Sequence, residues 1–423
     1  MMMSTTGTKP ASLRNYAVVT LAYWADTLAD GAIRTLVLFY FYNLGYSAWQ
    51  VASLFLLYEF FGIVTNLLGG YLGARFGLKS TLFLGLGTQL AALAMLGAMP
   101  AAGLTVVWVM ASQALSGIAK DMTKMSSKSA VKLVAGDEEG RLYKWVAVLT
   151  GSKNALKGVG FFLGGLLLSL IGFQASIWAL FGVVAAAFVA AALLMKGGLG
   201  AANKKVKFSH LFSNQRSINL LSLARLFLFG ARDVWFVVAL PVFLRGVLGW
   251  PFWQAGGFLA LWVIGYGIVQ ASAPALMRGR RVMSSGNGPD GRTALWLAVV
   301  LATVPATIAL VLREGGDASM VIVSGLILFG VVFALNSAVH SYLILAYADH
   351  DKVAMNVGVY YMANAGGRLA GTVLSGWLYE VGLRQGERGG MILCLLASSA
   401  LVAATVGLSV ALPRHPRLRE ATS

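Results

Sequence analysis

The stretch KWVAVLTGSKNALKGVGFFLGGLLLSLIGFQASIWALFGVVAAAFVAAALLMK, residues 144–196, decides the fold. It is apolar almost throughout and long enough for two helices, each needing about 20 residues to cross roughly 30 Å of hydrocarbon. It predicts spans at 142–171 and 174–195. Lys153 and Lys157 interrupt the first of these. With about 1.5 Å of rise per residue from Arg141, they lie roughly 18 to 24 Å along the helix, near mid-membrane. Their i, i+4 spacing puts both ammonium groups on one face, with Ser152 and Asn154 beside them. A charge facing lipid costs at least ~2.5 kcal/mol, so this face turns to a cavity or to partners.

The rest of the chain repeats the pattern. Of 423 residues, 58% are hydrophobic and only 12% charged, too little polar surface for a soluble globule. Further spans are expected near 15–43, 49–73, 80–98 and 104–125, then 217–244, 252–277, 293–312, 319–345, 354–381 and 389–412. The predicted architecture is an all-α membrane protein of about twelve transmembrane helices in two six-helix pseudo-repeats. A tail at 1–14 leads into a bundle at 15–196, a basic linker at 197–216, a second bundle at 217–412 and a tail at 413–423. No cleavage pattern marks the start, so the run to Tyr42 is expected to remain as the first helix.

The formal charge of +17 would suggest a nucleic-acid binder in a soluble protein. Here Lys and Arg concentrate between apolar runs, where they set topology, and nucleic acid is not an expected partner. Counted by alternate loops, twenty fall on one side and four on the other (Arg245, Arg313, Arg384, Arg388), with nine of the 33 inside spans. That bias predicts cytoplasmic termini and linker in a cell (inner) membrane. The single cysteine, Cys394, lies in an apolar run and is read as a core residue. Asp349, His350 and Asp351 are neighbours in a short loop and not a metal site; His210, His340 and His415 add none, and no cofactor is expected.

Internal echoes support two halves: LGYSAWQ at 44–50 matches LGWPFWQ at 248–254, and FFGIVTN at 60–66 is followed by GYGIVQA at 265–271. The segment GGYLGARFGLKSTL at 69–82 resembles the motif between helices 2 and 3 of the major facilitator superfamily, whose members bind substrate near the midplane between two half-repeats. Gly70, Gly73, Arg75, Gly77 and Lys79 fit it as a conformational gating loop, while Ala74 stands where the motif has Asp. GVGFFLGGLL at 158–167 looks like the superfamily's antiporter pattern with Phe161 in place of proline; alternatively, Gly160, Gly164 and Gly165 permit close helix packing.

The cations inside spans are Arg34, Lys120, Lys124, Lys144, Lys153, Lys157, Arg225, Arg232 and Arg368; the acids are Asp26, Asp30, Glu59, Asp121 and Asp233. This excess of positive charge is completed most simply by an anionic small-molecule substrate. Arg34, Lys120, Lys124, Lys153, Asn154, Lys157, Arg225, Arg232 and Arg368 are therefore candidate substrate-binding residues. Local pairs, Asp30 with Arg34 and Arg232 with Asp233, would instead absorb some of them. Asp26, Asp30, Glu59, Asp121 and Asp233 are candidates for proton coupling or charge pairing. Lys120, Lys124, Lys128 and Lys132 recur every fourth residue, as an anion funnel or as interfacial lysines.

Four segments carry a finer resemblance: YEFFGIVTNLLGGYLGARFGLK at 58–79, ALSGIAKDMTKMSSKSAVKLV at 114–134, the lysine-bearing 144–168 and LFGARDVWFVV at 228–238. Together they resemble organoarsenical-efflux permeases of the ArsJ type. That resemblance implies export of 1-arseno-3-phosphoglycerate, arsenate resistance, and a functional link to glyceraldehyde-3-phosphate dehydrogenase, which forms the ester. The residues themselves reach only a polyanion. A carrier of another organophosphate, inorganic anion or drug remains open, as does a membrane-embedded enzyme acting on phosphate esters or lipids. No nucleophile with its base stands in the spans to support the enzyme.

Overall fold

Apolar runs separated by glycine and polar turns fold as thirteen α-helices, and no strand occurs among the described residues. The computed structural model describes residues 10–100, 103–135, 139–195, 215–278, 289–347 and 353–413. The helices are α1 (Pro10–Asn43), α2 (Ala48–Ser53), α3 (Leu56–Phe76), α4 (Leu78–Ala98), α5 (Val106–Ala135), α6 (Glu139–Leu194), α7 (Arg216–Phe236), α8 (Ala239–Gly246), α9 (Phe252–Arg278), α10 (Gly291–Arg313), α11 (Ala318–Tyr347), α12 (Val353–Leu383) and α13 (Gly389–Val410). Two pairs, α2 with α3 and α7 with α8, each make one broken span. Conversely, α6 makes two spans, because Gly172 turns the chain at φ 73°, a conformation open to glycine. Twelve crossings result, in two sets of six.

Eight stretches among the described residues are long and apolar enough to cross a membrane on composition, and Ser152–Leu194 supplies two crossings. The helices outside that set, α1, α5 and α12, are those loaded with polar cargo: Asp26, Asp30 and Arg34; Lys120, Asp121 and Lys124; Arg368. They are tolerated because these groups face inward.

The break between α7 and α8 has a local cause. Pro241 has no N–H and its ring clashes with the carbonyl four residues back, at Val237. The amides of Val238 and Ala239 are instead taken by Ser375 Oγ on α12, at 3.3 and 3.0 Å. A broken helix at membrane depth requires such a substitute acceptor.

Within each half the first and fifth spans meet through glycine. A Cβ on Gly160 would stand 2.5 Å from Leu28 O of α1, and one on Gly31 2.6 Å from Lys157 O. In the second half Gly367 meets Leu226 O and Gly371 lies against Gly230 O and Asp233. Across the halves α6 packs on α9, with Gly165 against Phe252 O and Gly256 against Phe161 O, and α2 and α3 pack on α12. The close-packing reading of Gly160, Gly164 and Gly165 therefore describes what these glycines do.

Two expectations change. The gating loop is nearly absent: α3 continues to Phe76 and α4 begins at Leu78, so Gly73, Arg75 and Lys79 are helical. Gly77 alone, at φ 78°, reverses the chain between them. The fourth span runs on to Ala135, well past 125, so Lys128 and Lys132 are helical; their side chains, with those of Arg75, Arg141 and Lys144, lie outside the described residues. Residues 197–214, and with them most of the basic linker, also lie outside them, as do His210, Asp349, His350, Asp351 and His415.

Candidate functional site

One cavity of ≈ 380 Å³ lies between the halves, and the nine candidate substrate-binding residues all line it: Arg34, Lys120, Lys124, Lys153, Asn154, Lys157, Arg225, Arg232 and Arg368. Eight of these are cationic, and four carboxylates face them: Asp30, Glu59, Asp121 and Asp233. The glycine contacts of α1 with α6, and of α7 with α12, place these side chains by bringing two charge-bearing backbones together within each half.

A ladder of ion pairs crosses the cavity from one half to the other. Arg34 Nη1 of α1 donates to Glu59 Oε1 of α3 at 3.0 Å. Arg368 Nη2 of α12 donates to the same oxygen at 2.7 Å, and its Nε reaches Asp233 Oδ2 of α7 at 3.4 Å. Arg232 Nε completes the series on Asp233 Oδ1 at 2.6 Å. Of the two alternative local pairs, Arg232 with Asp233 forms and Asp30 with Arg34 does not. Arg34 is drawn sideways to Glu59, its guanidinium lying 5.1 Å from the Phe55 ring centre and 5.2 Å from that of Tyr58. Asp30 accepts from Tyr58 Oη at 2.6 Å and pairs with Lys157 Nζ at 3.7 Å.

The lysines lie on the N-terminal half. Lys124 Nζ donates to Asn66 Oδ1 at 2.8 Å and to Asp121 Oδ1 at 3.1 Å, while Thr65 Oγ1 holds the other Asp121 oxygen at 2.6 Å. Lys120 Nζ sits 4.0 Å above the Tyr58 ring. Each lining carboxylate serves at least two donors, and the cationic groups of the lining outnumber the carboxylates two to one. Lys and Arg are the usual donors to phosphate and carboxylate groups.

Asp26 departs from the group: it does not line the cavity, is fully buried, and accepts from Thr123 Oγ1 at 2.6 Å, with no ion pair among the described residues. His340 is fully buried on α11. Cys394 is buried as expected, its thiol 3.6 Å from Ser375 O.

Sequence reasoning missed the uncharged lining of the C-terminal half: Trp262, Tyr266 and Gln270 of α9, Ser341 of α11, Tyr361 and Asn364 of α12. Aromatic and amide side chains are ordinary in apolar helices, so none announced itself. Two signals were present in Gln270, which lies within the GYGIVQA echo, and in Asn364, which opens the glycine-rich NAGGRLAG around Arg368.

Two solved structures resemble the whole chain. A crystal structure of the nucleoside transporter NupG superposes with a TM-score of 0.71 at 14% identity, covering 95% of this chain and 99% of that one. A bacterial homologue of the iron transporter ferroportin, in an inward-facing state, superposes at 0.66 with 16% identity, over 95% and 98%. At such identities the likeness concerns the fold. No curated protein sequence matches. Residues 19–372 match the Major Facilitator Superfamily. The chain therefore belongs to the Major Facilitator Superfamily and is a multi-pass membrane transporter.

Proposed function

We propose that this transporter exports an organic polyanion from the cytoplasm by alternating access, and that the cargo is 1-arseno-3-phosphoglycerate. One observation carries the polyanion: eight cationic side chains against four carboxylates around a single cavity. Buried charge of one sign is costly unless an opposite charge shares the site, and a multiply negative cargo supplies it. The arsenate ester is taken from the resemblance to ArsJ-type permeases and fits because it carries an arsenate and a phosphate group. On this reading the protein lies in the inner membrane with both termini cytoplasmic, following the twenty-to-four bias of basic residues. Its link to glyceraldehyde-3-phosphate dehydrogenase is through the product, without a required contact.

Inside-out vesicles test the proposal. Arsenic should accumulate only when the dehydrogenase, glyceraldehyde 3-phosphate, NAD and arsenate are all supplied; accumulation from arsenate alone defeats it. The second reading, a carrier of ordinary organophosphate, draws on the same charges, since nothing in the cavity separates arsenate from phosphate. Uptake of phosphoglycerate without arsenate would favour it. In either case Lys153→Met with Lys157→Met should reduce transport at least a hundredfold while membrane insertion is retained, because both ammonium groups of one cavity wall are lost. Unchanged transport would remove both from the site.

A further inference from the structure

Four guanidinium groups line the cavity, and three of them, Arg34, Arg232 and Arg368, spend their charge on Glu59 or Asp233. Arg225 is built differently. Its Nη1 donates to the carbonyl oxygen of Ser337 at 3.1 Å and to Ser337 Oγ at 3.0 Å, and its Nε to Asn364 Oδ1 at 3.3 Å. The face of the guanidinium lies 4.0 Å from the centre of the Phe229 ring. Among the described residues no carboxylate pairs with it. Ser337 is itself fully buried and is reached by Tyr266 Oη at 3.3 Å and Gln270 Nε2 at 3.4 Å, so it is fixed from three sides.

Neutral acceptors hold a guanidinium in place without cancelling its charge; a carboxylate would do both. Nη2 is the donor that these bonds leave over, and Arg225 opens to the cavity. It stands on α7, in the half opposite the lysines of α5 and α6. We infer that Arg225, positioned by Ser337 and Asn364, is the second of two anion subsites, and that the transporter selects cargo with negative charge at both ends. This rests on the polyanion reading and narrows it: a solute with one anionic group satisfies the lysines and leaves Arg225 uncompensated.

The test uses two probes that differ only at the far carbon. 3-Phosphoglycerate carries a phosphate and a carboxylate, whereas glycerol 3-phosphate has a hydroxymethyl group in place of the carboxylate. Titrated calorimetrically into the purified full-length protein, the first should bind roughly tenfold or more tighter, the worth of one charge-assisted hydrogen bond. Arg225→Gln should bring that ratio close to one. Asn364→Asp should do the same by placing a carboxylate on the guanidinium, and its near-identical shape guards against a folding failure. Ser337→Ala, acting through position alone, should reduce the ratio partway. Equal binding of the two probes by the wild-type protein would overturn the two-subsite inference and leave the polyanion reading standing. Binding of neither would overturn both. Loss of affinity for both probes in equal proportion in Arg225→Gln and Asn364→Asp would show that Arg225 is structural and overturn the inference.

Discussion

Glu59 accepts from two guanidinium groups that come from opposite halves, at 3.0 and 2.7 Å. Removing its charge strands Arg34 in a buried site and leaves Arg368 only Asp233, at 3.4 Å, and breaking a buried pair costs about 3–5 kcal/mol. Glu59→Gln should therefore lower thermal stability markedly in detergent. It also adds one more uncompensated cation to the cavity, so inorganic phosphate should raise the melting temperature of the variant by more than that of the wild type. Equal phosphate shifts in the two proteins would show that Arg34 and Arg368 do not face the ligand space. Residues of this kind were legible in the sequence for an energetic reason: a charge in an apolar span is too costly to be incidental. Their pairings were not. Asp30 and Arg34 have helical spacing yet bond to other helices, since α3 offers Tyr58 and Glu59, and α6 offers Lys157, as better-placed partners. Tyr266, Gln270 and Ser337 stayed hidden because their value lies in one another's company.

Helices were legible as far as apolar length marks them, and their interruptions only where proline or glycine does. The break at Val237–Val238 follows from Pro241, but the serine that makes it tolerable lies on α12, far along the chain, and nothing local announces it. Ser375→Ala leaves two buried amides without their acceptor, at roughly 1–3 kcal/mol for each unsatisfied group. The expected outcome is a lower unfolding temperature by circular dichroism with the fold retained, and an unchanged temperature would mean that the two amides find another acceptor. The turn at Gly77 shows the opposite limit. A glycine-rich, basic segment has the composition of a loop, whereas helix occupies all of it except the one residue whose φ of 78° other residues rarely adopt.

The two halves meet at the end remote from the termini in a way that bears on how the cavity exchanges sides. Gly376 of α12 lies so close to α2 that a Cβ there would collide with the Ala52 side chain and stand 2.8 Å from Ala48 O. One helical turn on, Glu380 Oε2 accepts from Ser47 Oγ at 2.7 Å and from Trp49 N at 3.1 Å, placing a carboxylate from one half on the first turn of a helix of the other. Between this contact and the charge ladder lies a small apolar chamber lined by Leu38, Phe39, Phe161, Phe236 and Pro241, beyond Arg34. An alternating-access cycle has to part this contact to release cargo on that side. Gly376→Leu cannot close it, since even the first carbon of the new side chain has no room. In a Cys394→Ala background carrying Leu38→Cys, a membrane-impermeant maleimide added to intact cells should therefore label the Gly376→Leu protein several-fold faster than its Gly376 parent. The native thiol is buried and its removal leaves one reporter. Equal labelling would mean either that α2 and α12 do not form the closing contact or that the termini face outward, and the same reagent applied to inside-out vesicles separates the two by reversing the side from which Leu38→Cys is reached.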